Sequence, residues 1–307
     1  MVPGVDATHE FGSQALAGTV SVVTGAGRGI GRAIAVAMAT AGAKVVANDL
    51  GVEVDGSLPS NGPADEVVAG IVKAGGEAVA CYDSVATMAG GRAVVECALD
   101  TFGRVDTVVC AAGILRPATI FDMTEAEWDD VITTNLKGHF SVIQPAARAI
   151  RNQQSGSIIT LTSTGGLEGN PKQPNYSASK EGIIGLTRAV ALSIAPYATC
   201  NAISPTGRSR MTLLPALQRP KGHIPDPELI TPMAIYLASP ASRHITGQVI
   251  AIGGDRVAAY PQPRPYQSAF RDGGWSAAQI EELWATRFAP DELVRYRRYF
   301  QSASQGP

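Results

Sequence analysis

The sequence predicts an α/β fold: a doubly wound, seven-stranded parallel sheet with helices on both faces, followed by a helical C-terminal extension. Two observations predict it. From Thr19 to about Ile252, short Val/Ile/Ala-rich runs alternate with longer segments of helical period, the pattern of strands buried on both faces and joined by crossover helices. The first run passes through Thr24-Gly25-Ala26-Gly27-Arg28-Gly29-Ile30-Gly31 straight into a helical segment. Glycines therefore stand at the strand-to-helix turn, where such sheets gather their ligands.

The first strand is Thr19 to Thr24, and the helix Gly29 to Ala41 follows its glycine turn. Lys44 to Asn48 is the second strand, ended by Asp49 and followed by the helix Pro63 to Ala74. Glu77 to Cys81 and the helix Ala86 to Phe102 form the third pair, and Asp106 to Cys110 is the fourth strand. Thr124 to Ile150 reads as one long helix, because Thr124-Glu125-Ala126-Glu127 carries both caps of a Thr-x-x-Glu box. Gly156 to Thr162, the helix Asn175 to Ile194, and Thr199 to Ile203 come next. Asp226-Pro227 places Pro just inside a helix running to Leu237, and Gln248 to Ile252 is the seventh strand.

Two segments leave this alternation. Gly51 to Gly62 is a polar, Gly-rich loop longer than the usual strand-to-helix connection. After Gly254 a Pro-rich linker leads to a second capping box, Ser276-Ala277-Ala278-Gln279, and an amphipathic stretch carrying Trp284 and Phe288, with Trp275 just before it. The chain thus divides into a catalytic, cofactor-binding domain over 1–254 and an extension over 255–307. The extension is expected to pack on its own or a neighbouring subunit, or to close part of a substrate pocket.

Composition excludes several classes of function. With 25 Lys+Arg against 27 Asp+Glu and a formal charge of −2, there is no cationic excess for a phosphate backbone or an anionic bilayer. No nucleic-acid or membrane partner is expected. No apolar run reaches the ~20 residues of a membrane span, and the N-terminus has neither a basic start nor an apolar core of a secretory signal. A cytoplasmic location is expected. Cys81, Cys97, Cys110 and Cys200 lack CxxC spacing and His9, His139, His223 and His244 are dispersed, so reduced thiols and no metal site are expected.

The residues able to carry chemistry lie at the C-terminal ends of the strands. In the first turn, Gly25, Gly27, Gly29 and Gly31 let backbone approach a pyrophosphate at a helix N-terminus, although such glycines also serve tight helix-to-strand packing. Asp49 stands eighteen positions after Gly31, where a carboxylate accepts from both hydroxyls of an adenosine ribose and repels a 2′-phosphate. That favours NAD over NADP, a preference that Arg28 would soften by supplying a positive charge nearby. An Asp at a strand end is otherwise a cap or turn former. Tyr176 and Lys180 are four apart near a helix start and share a face. An ammonium beside a phenol lowers its pKa from ~10 toward neutrality, although such pairs also arise by chance on solvated faces.

Taken together, these residues resemble the short-chain dehydrogenase/reductases, with their Rossmann-type sheet, from Thr19 to Gly254. The resemblance rests on the glycine turn, Asp83 after the third strand, Ala111-Ala112-Gly113 after the fourth, Asn135, Ser163, and Tyr176 with Lys180, in order; Ser163 lies thirteen residues before Tyr176. It implies Tyr176 as general acid-base and Lys180 holding the nicotinamide ribose and depressing the phenol's pKa. Ser163 would donate to the substrate oxygen, and Asn135 would tie a water to Lys180. The expected NAD contacts are Gly25, Gly27, Arg28, Gly29, Ile30, Gly31, Asp49, Leu50, Asp83, Ser84, the 111–113 turn, Tyr176, Lys180 and Pro205. Thr206, Ser209 and Thr212 are open alternatives at the carboxamide, because Arg210 occupies the position where the family often has Thr.

Further similarity, in Val45 to Leu50, the loop after it, Ala78 to Val85, Ser209 to Thr212 and the tail helix, is to the (3R)-hydroxyacyl-CoA dehydrogenase part of type 2 multifunctional β-oxidation enzymes. It implies an NAD-dependent dehydrogenase interconverting a (3R)-hydroxyacyl-CoA and its 3-keto form. A hydroxysteroid dehydrogenase is the alternative enzyme, and a non-catalytic NAD-binding regulatory protein the alternative of another class; intact Asn135, Ser163, Tyr176 and Lys180 argue against the last. Specificity is expected from Leu167 to Asn175, Thr206 to His223 and the tail. Arg208 and Arg210 either face an anionic group such as a CoA phosphate or are ordinary exposed arginines. Cys110, where the family commonly has Asn, is expected to change packing and not activity. The ending Gln305-Gly306-Pro307 lacks a Ser-Lys-Leu-like peroxisomal signal. A homodimer or homotetramer is implied, through the 124–150 and 175–194 helices.

Overall fold

A computed structural model describes residues 14–214, 224–265 and 267–288 of the 307-residue chain. The N-terminal stretch 1–13, part of the Thr206–His223 segment and the 305–307 ending lie outside the described residues. Two compact units divide the chain, Met1–Pro261 and Gln262–Pro307.

The first unit is a sheet in the order β3-β2-β1-β4-β5-β6-β7-β8. Its strands are β1 Val20–Thr24, β2 Lys44–Asn48, β3 Ala78–Cys81, β4 Thr107–Cys110, β5 Gly156–Leu161, β6 Ala198–Pro205, β7 Val249–Gly253 and β8 Arg256–Ala259. The sequence predicts seven strands and the fold has eight. The extra one, β8, pairs antiparallel with β7, with Gly253 opposite Arg256. Gly254, at φ +60°, supplies the left-handed turn between them. Only four residues long and mostly exposed, β8 lacks the apolar run that marks the buried strands.

Alternate strand positions feed two cores. Val23, Val45, Ala47, Val109, Ile159 and Ile203 meet α1 (Gly29–Thr40) and α2 (Gly62–Lys73) on one face. Val22, Val46, Val108, Ile158 and Cys200 meet α3 (Met88–Phe102) on the other. This two-sided burial is the reason the strands read as unbroken apolar runs.

The predicted helix Thr124–Ile150 is interrupted. After α4 (Glu125–Val131), opened by the expected Thr124/Glu127 box, residues Ile132–Lys137 form a π-helical turn before α5 (Gly138–Gln153). A short α6 (Thr164–Glu168) precedes α7 (Pro174–Ile194). The predicted Asp226–Leu237 helix is a 3₁₀ turn, Pro227–Ile230, followed by α8 (Thr231–Ala238). In the second unit α9 (Ala277–Thr286) has the expected Ser276/Gln279 box, and Trp284 meets Phe288 edge-on at 5.7 Å. Among the described residues no helix is long and apolar enough to cross a membrane.

Candidate active site

A cavity of about 370 Å³ opens at the C-terminal ends of β1, β2 and β4–β6. A larger groove of about 910 Å³ between α1 and α8 contains, of the expected site residues, only Gly29. The smaller cavity is lined by Gly25, Arg28, Gly29, Ile30, Gly31, Asp49, Leu50, Asp83, Ser84, Ala111, Ala112, Gly113, Tyr176, Lys180, Pro205 and Ser209, so most expected residues converge there.

One end of the cavity is a backbone cradle. A Cβ on Gly25 would stand 2.8 Å from Ala112 Cα, and one on Gly31 would strike the Gly25 carbonyl. Asp49 locks this turn to the next strand: one carboxylate oxygen accepts from the Gly27 amide at 2.7 Å and the other from the Gly51 amide at 2.6 Å. Gly27 therefore stands beneath Asp49 and off the cavity wall. Thr24 does the same for β4, its Oγ1 accepting from the Ala111 and Ala112 amides at 3.1 and 3.2 Å. Beyond β3, Asn48 Nδ2 donates to the Asp83 carbonyl at 2.9 Å, fixing the turn that carries Asp83 and Ser84.

The opposite end is built from side chains. Tyr176 and Lys180 lie one turn apart on α7, with Lys180 Nζ 5.5 Å from the Tyr176 ring centre. The ammonium is almost fully buried and donates to the Leu161 carbonyl at 2.7 Å. Burial draws Lys180 down to about 8. Nearby, the buried His139 is pushed down to about 3, by burial first and by the Lys180 charge second. Burial raises the Cys110 thiol to about 12, so at neutral pH it is an uncharged core group.

Asn135 sits on the π turn and is fully buried. Its side chain accepts from the Ile114 amide at 2.8 Å, donates to the Ile114 carbonyl at 3.2 Å and reaches Ser179 Oγ at 3.4 Å. It joins the segment after β4 to α7 and is not on the cavity wall. Ser163 caps α6, its Oγ accepting from the Gly165 amide at 3.1 Å. A Cβ on Gly165 would lie 3.6 Å from that Oγ and 3.7 Å from the Tyr176 ring, so the two side chains flank the same glycine.

Besides Gly27, Asn135 and Ser163, two further expected residues, Thr206 and Thr212, do not line the cavity. Thr206 is exposed, and its amide continues the β6–β7 pairing by donating to the Ile252 carbonyl. Thr212 braces its own loop, Oγ1 accepting from the Ser209 amide at 2.7 Å. Arg208 is tied to Asp226 at 2.5 Å, and Arg210 to Glu53 at 3.0 Å. Sequence reasoning missed Asn175, whose Nδ2 donates to the Arg116 and Glu127 carbonyls and whose Oδ1 accepts from the Tyr176 amide. It also missed Val52, Glu53, Val54 and Gly56, which carry the inserted loop over the cavity. That loop's length was the available signal.

Among the described residues no group of three or more His, Cys, Asp or Glu gathers to hold a metal ion. The family model for short chain dehydrogenases matches residues 19–213. A peroxisomal multifunctional enzyme type 2 of Drosophila melanogaster is 45% identical over 228 residues, 72% of this chain and 36% of that one. This chain therefore spans about a third of that relative. A 3-oxoacyl-[acyl-carrier-protein] reductase of Synechocystis is 38% identical over 79% of this chain and 98% of its own. A crystal structure of a short chain dehydrogenase from Mycobacterium avium superposes with a TM-score of 0.78 at 36% identity, covering 90% of this chain and 96% of that one. The chain belongs to the short-chain dehydrogenase/reductase family, oxidoreductases that act on CH–OH groups.

Proposed function

We propose that the protein is an NAD-dependent oxidoreductase interconverting a secondary alcohol and a ketone, with a (3R)-hydroxyacyl-CoA and its 3-ketoacyl-CoA as the pair. The observation that carries this reading is the Tyr176 phenol beside a buried Lys180 ammonium, on the wall of the cavity that also holds the glycine cradle. The cradle fits a dinucleotide. Its glycines leave no room for a Cβ, and the α1 N-terminus offers amides to a diphosphate. Asp49 accepts one amide on each oxygen, which leaves about half of its four lone-pair sites for a ribose, and presents charge where a 2′-phosphate would be repelled. Bound NAD would supply the hydride acceptor.

The chain's own residues move the proton. Below about pH 8 Lys180 is charged and favours the phenolate of Tyr176, which takes the proton from the substrate hydroxyl. Ser163 accepts from Gly165 through its oxygen, which leaves its own proton to donate to the substrate oxygen as charge develops there. Asn135 holds the 114 segment against α7 and so positions Lys180, which shares the helix with Ser179. Pro205 and Ser209, both on the cavity wall, would meet the nicotinamide. Phe140 and Leu192, 44% and 82% exposed on α5 and α7, support homo-oligomerisation through these helices; light scattering tests it.

The acyl thioester is supported by similarity to a 3-oxoacyl reductase and to a type 2 multifunctional enzyme. The test follows nicotinamide absorbance with NAD and (3R)- or (3S)-hydroxyacyl-CoA esters of short and long chain, beside hydroxysteroids. Stereoselective oxidation of the (3R) esters is expected. Turnover of steroids without thioesters overturns the substrate assignment.

A further inference from the structure

At the lip of the cleft, two guanidinium groups meet at one oxygen. Arg28 Nη1 donates to the Val52 carbonyl at 3.2 Å, and Arg210 Nη2 donates to the same carbonyl at 2.9 Å. Arg28 also reaches the Gly51 carbonyl at 3.5 Å, while the Gly51 amide donates to Asp49. Arg28 is thus one peptide unit from the carboxylate read above as the ribose acceptor. Glu53 pairs with one of the two cations, its Oε2 lying 3.0 Å from Arg210 Nη1. Glu53 comes from the inserted loop after β2, and Arg210 from the segment after β6, 157 positions apart. The loop is held in place independently, because the Leu115 amide donates to the Val54 carbonyl at 2.9 Å. Arg28, Val52, Glu53, Val54 and Arg210 border the same cavity as Asp49.

Two converging guanidinium groups are a site for a phosphate dianion, which accepts bidentate bonds from both. Here the loop carbonyls and the Glu53 carboxylate take up those donors instead. We propose that Glu53 is a cofactor-discriminating residue: by occupying Arg210 it denies a 2′-phosphorylated ribose the paired arginines that lie next to Asp49. Discrimination then has two parts, repulsion by Asp49 and competition by Glu53 for the cation. This inference rests on the NAD reading.

The probes are 2′,5′-ADP and ADP, titrated calorimetrically into the full chain without cofactor, which reads binding independently of turnover. Glu53 and Arg210 are about half exposed and two-fifths exposed, so their substitution leaves the folded core intact, checked by an unchanged Tm. In Glu53→Gln the affinity for 2′,5′-ADP relative to ADP rises about fivefold, the scale of one partly exposed ion pair, and the gain shrinks in high salt. Adding Arg210→Gln removes the gain. A ratio unmoved by Glu53→Gln in a protein that prefers ADP overturns the inference alone, as does a gain that survives loss of Arg210. A wild-type protein that already prefers 2′,5′-ADP overturns the NAD reading and the inference with it.

Discussion

Along β1 and the start of α1, the cleft wall is backbone brought close by missing side chains, with Gly25 against Ala112 and Gly31 against Gly25. Across α7 and the π turn, the site is held by side chains tied to remote backbone: Lys180 to Leu161, Asn135 to Ile114, Asn175 to Arg116 and Glu127. The first region tolerates no added atom; the second tolerates no lost one. Backbone amides bind a phosphate whatever its neighbours, whereas proton transfer needs one phenol beside a buried charge, and that takes the bonds that hold the charge.

The contrast can be broken at four points. Tyr176→Phe removes the transferring oxygen and little else, so kcat falls by about a thousandfold while NAD affinity, by fluorescence titration, stays within a fewfold; near-normal turnover would exclude Tyr176 as the acid-base. Gly31→Ala drives a methyl into the Gly25 carbonyl, and the strain, about 1–3 kcal/mol, should appear as a ten- to hundredfold loss of NAD affinity. Unchanged affinity would show that the turn yields. Lys180→Met deletes a buried charge that folding holds below its ordinary pKa. The unfolded chain binds that proton up to about pH 10 and the folded chain only to about 8, so wild-type stability rises with pH through that window. The variant should lack the rise and gain about 1–3 kcal/mol at pH 7, after the lost Leu161 bond, while losing turnover. A variant that is less stable in urea melts would show that the ammonium is held favourably. Asp49→Ala should move the NAD to NADP ratio of kcat/KM toward NADP by about tenfold, less than free repulsion would give because Gly27 and Gly51 lose their acceptor as well. A fixed ratio would remove Asp49 as the selector.

The same contrast explains what could be read from the chain. Glycines, Asp49 and the Tyr176/Lys180 spacing are local signals, and the structure gathers them on one cavity. Thr24, Asn175 and Glu53 act on residues 87, 59 and 157 positions away, so no local pattern marks them. Four-residue β8 is too short and too exposed to show a period. Its place beside Pro205 makes Thr206 one of three open alternatives, yet it stands exposed just beyond the last β6–β7 pairing, Pro205 with Ile252, and does not line the cavity.

The π turn has a consequence for how this chain can be altered. Between Ile132 and Lys137 it holds one residue more than an α-helix would need. Deleting one residue there would restore regular helical geometry and keep the flanking helices nearly in register, because the wider turn absorbs the extra residue locally. Ser141, which donates to the Val85 carbonyl at 2.6 Å and against which Gly91 of α3 is packed, would keep that contact, whereas Asn135, on the turn itself, would leave Ile114. Substitutions cannot remove the irregularity by degrees. A chain shortened by one residue between Ile132 and Lys137 should therefore keep α4 and α5 in place yet lose the Asn135 brace, however conservative its side chains.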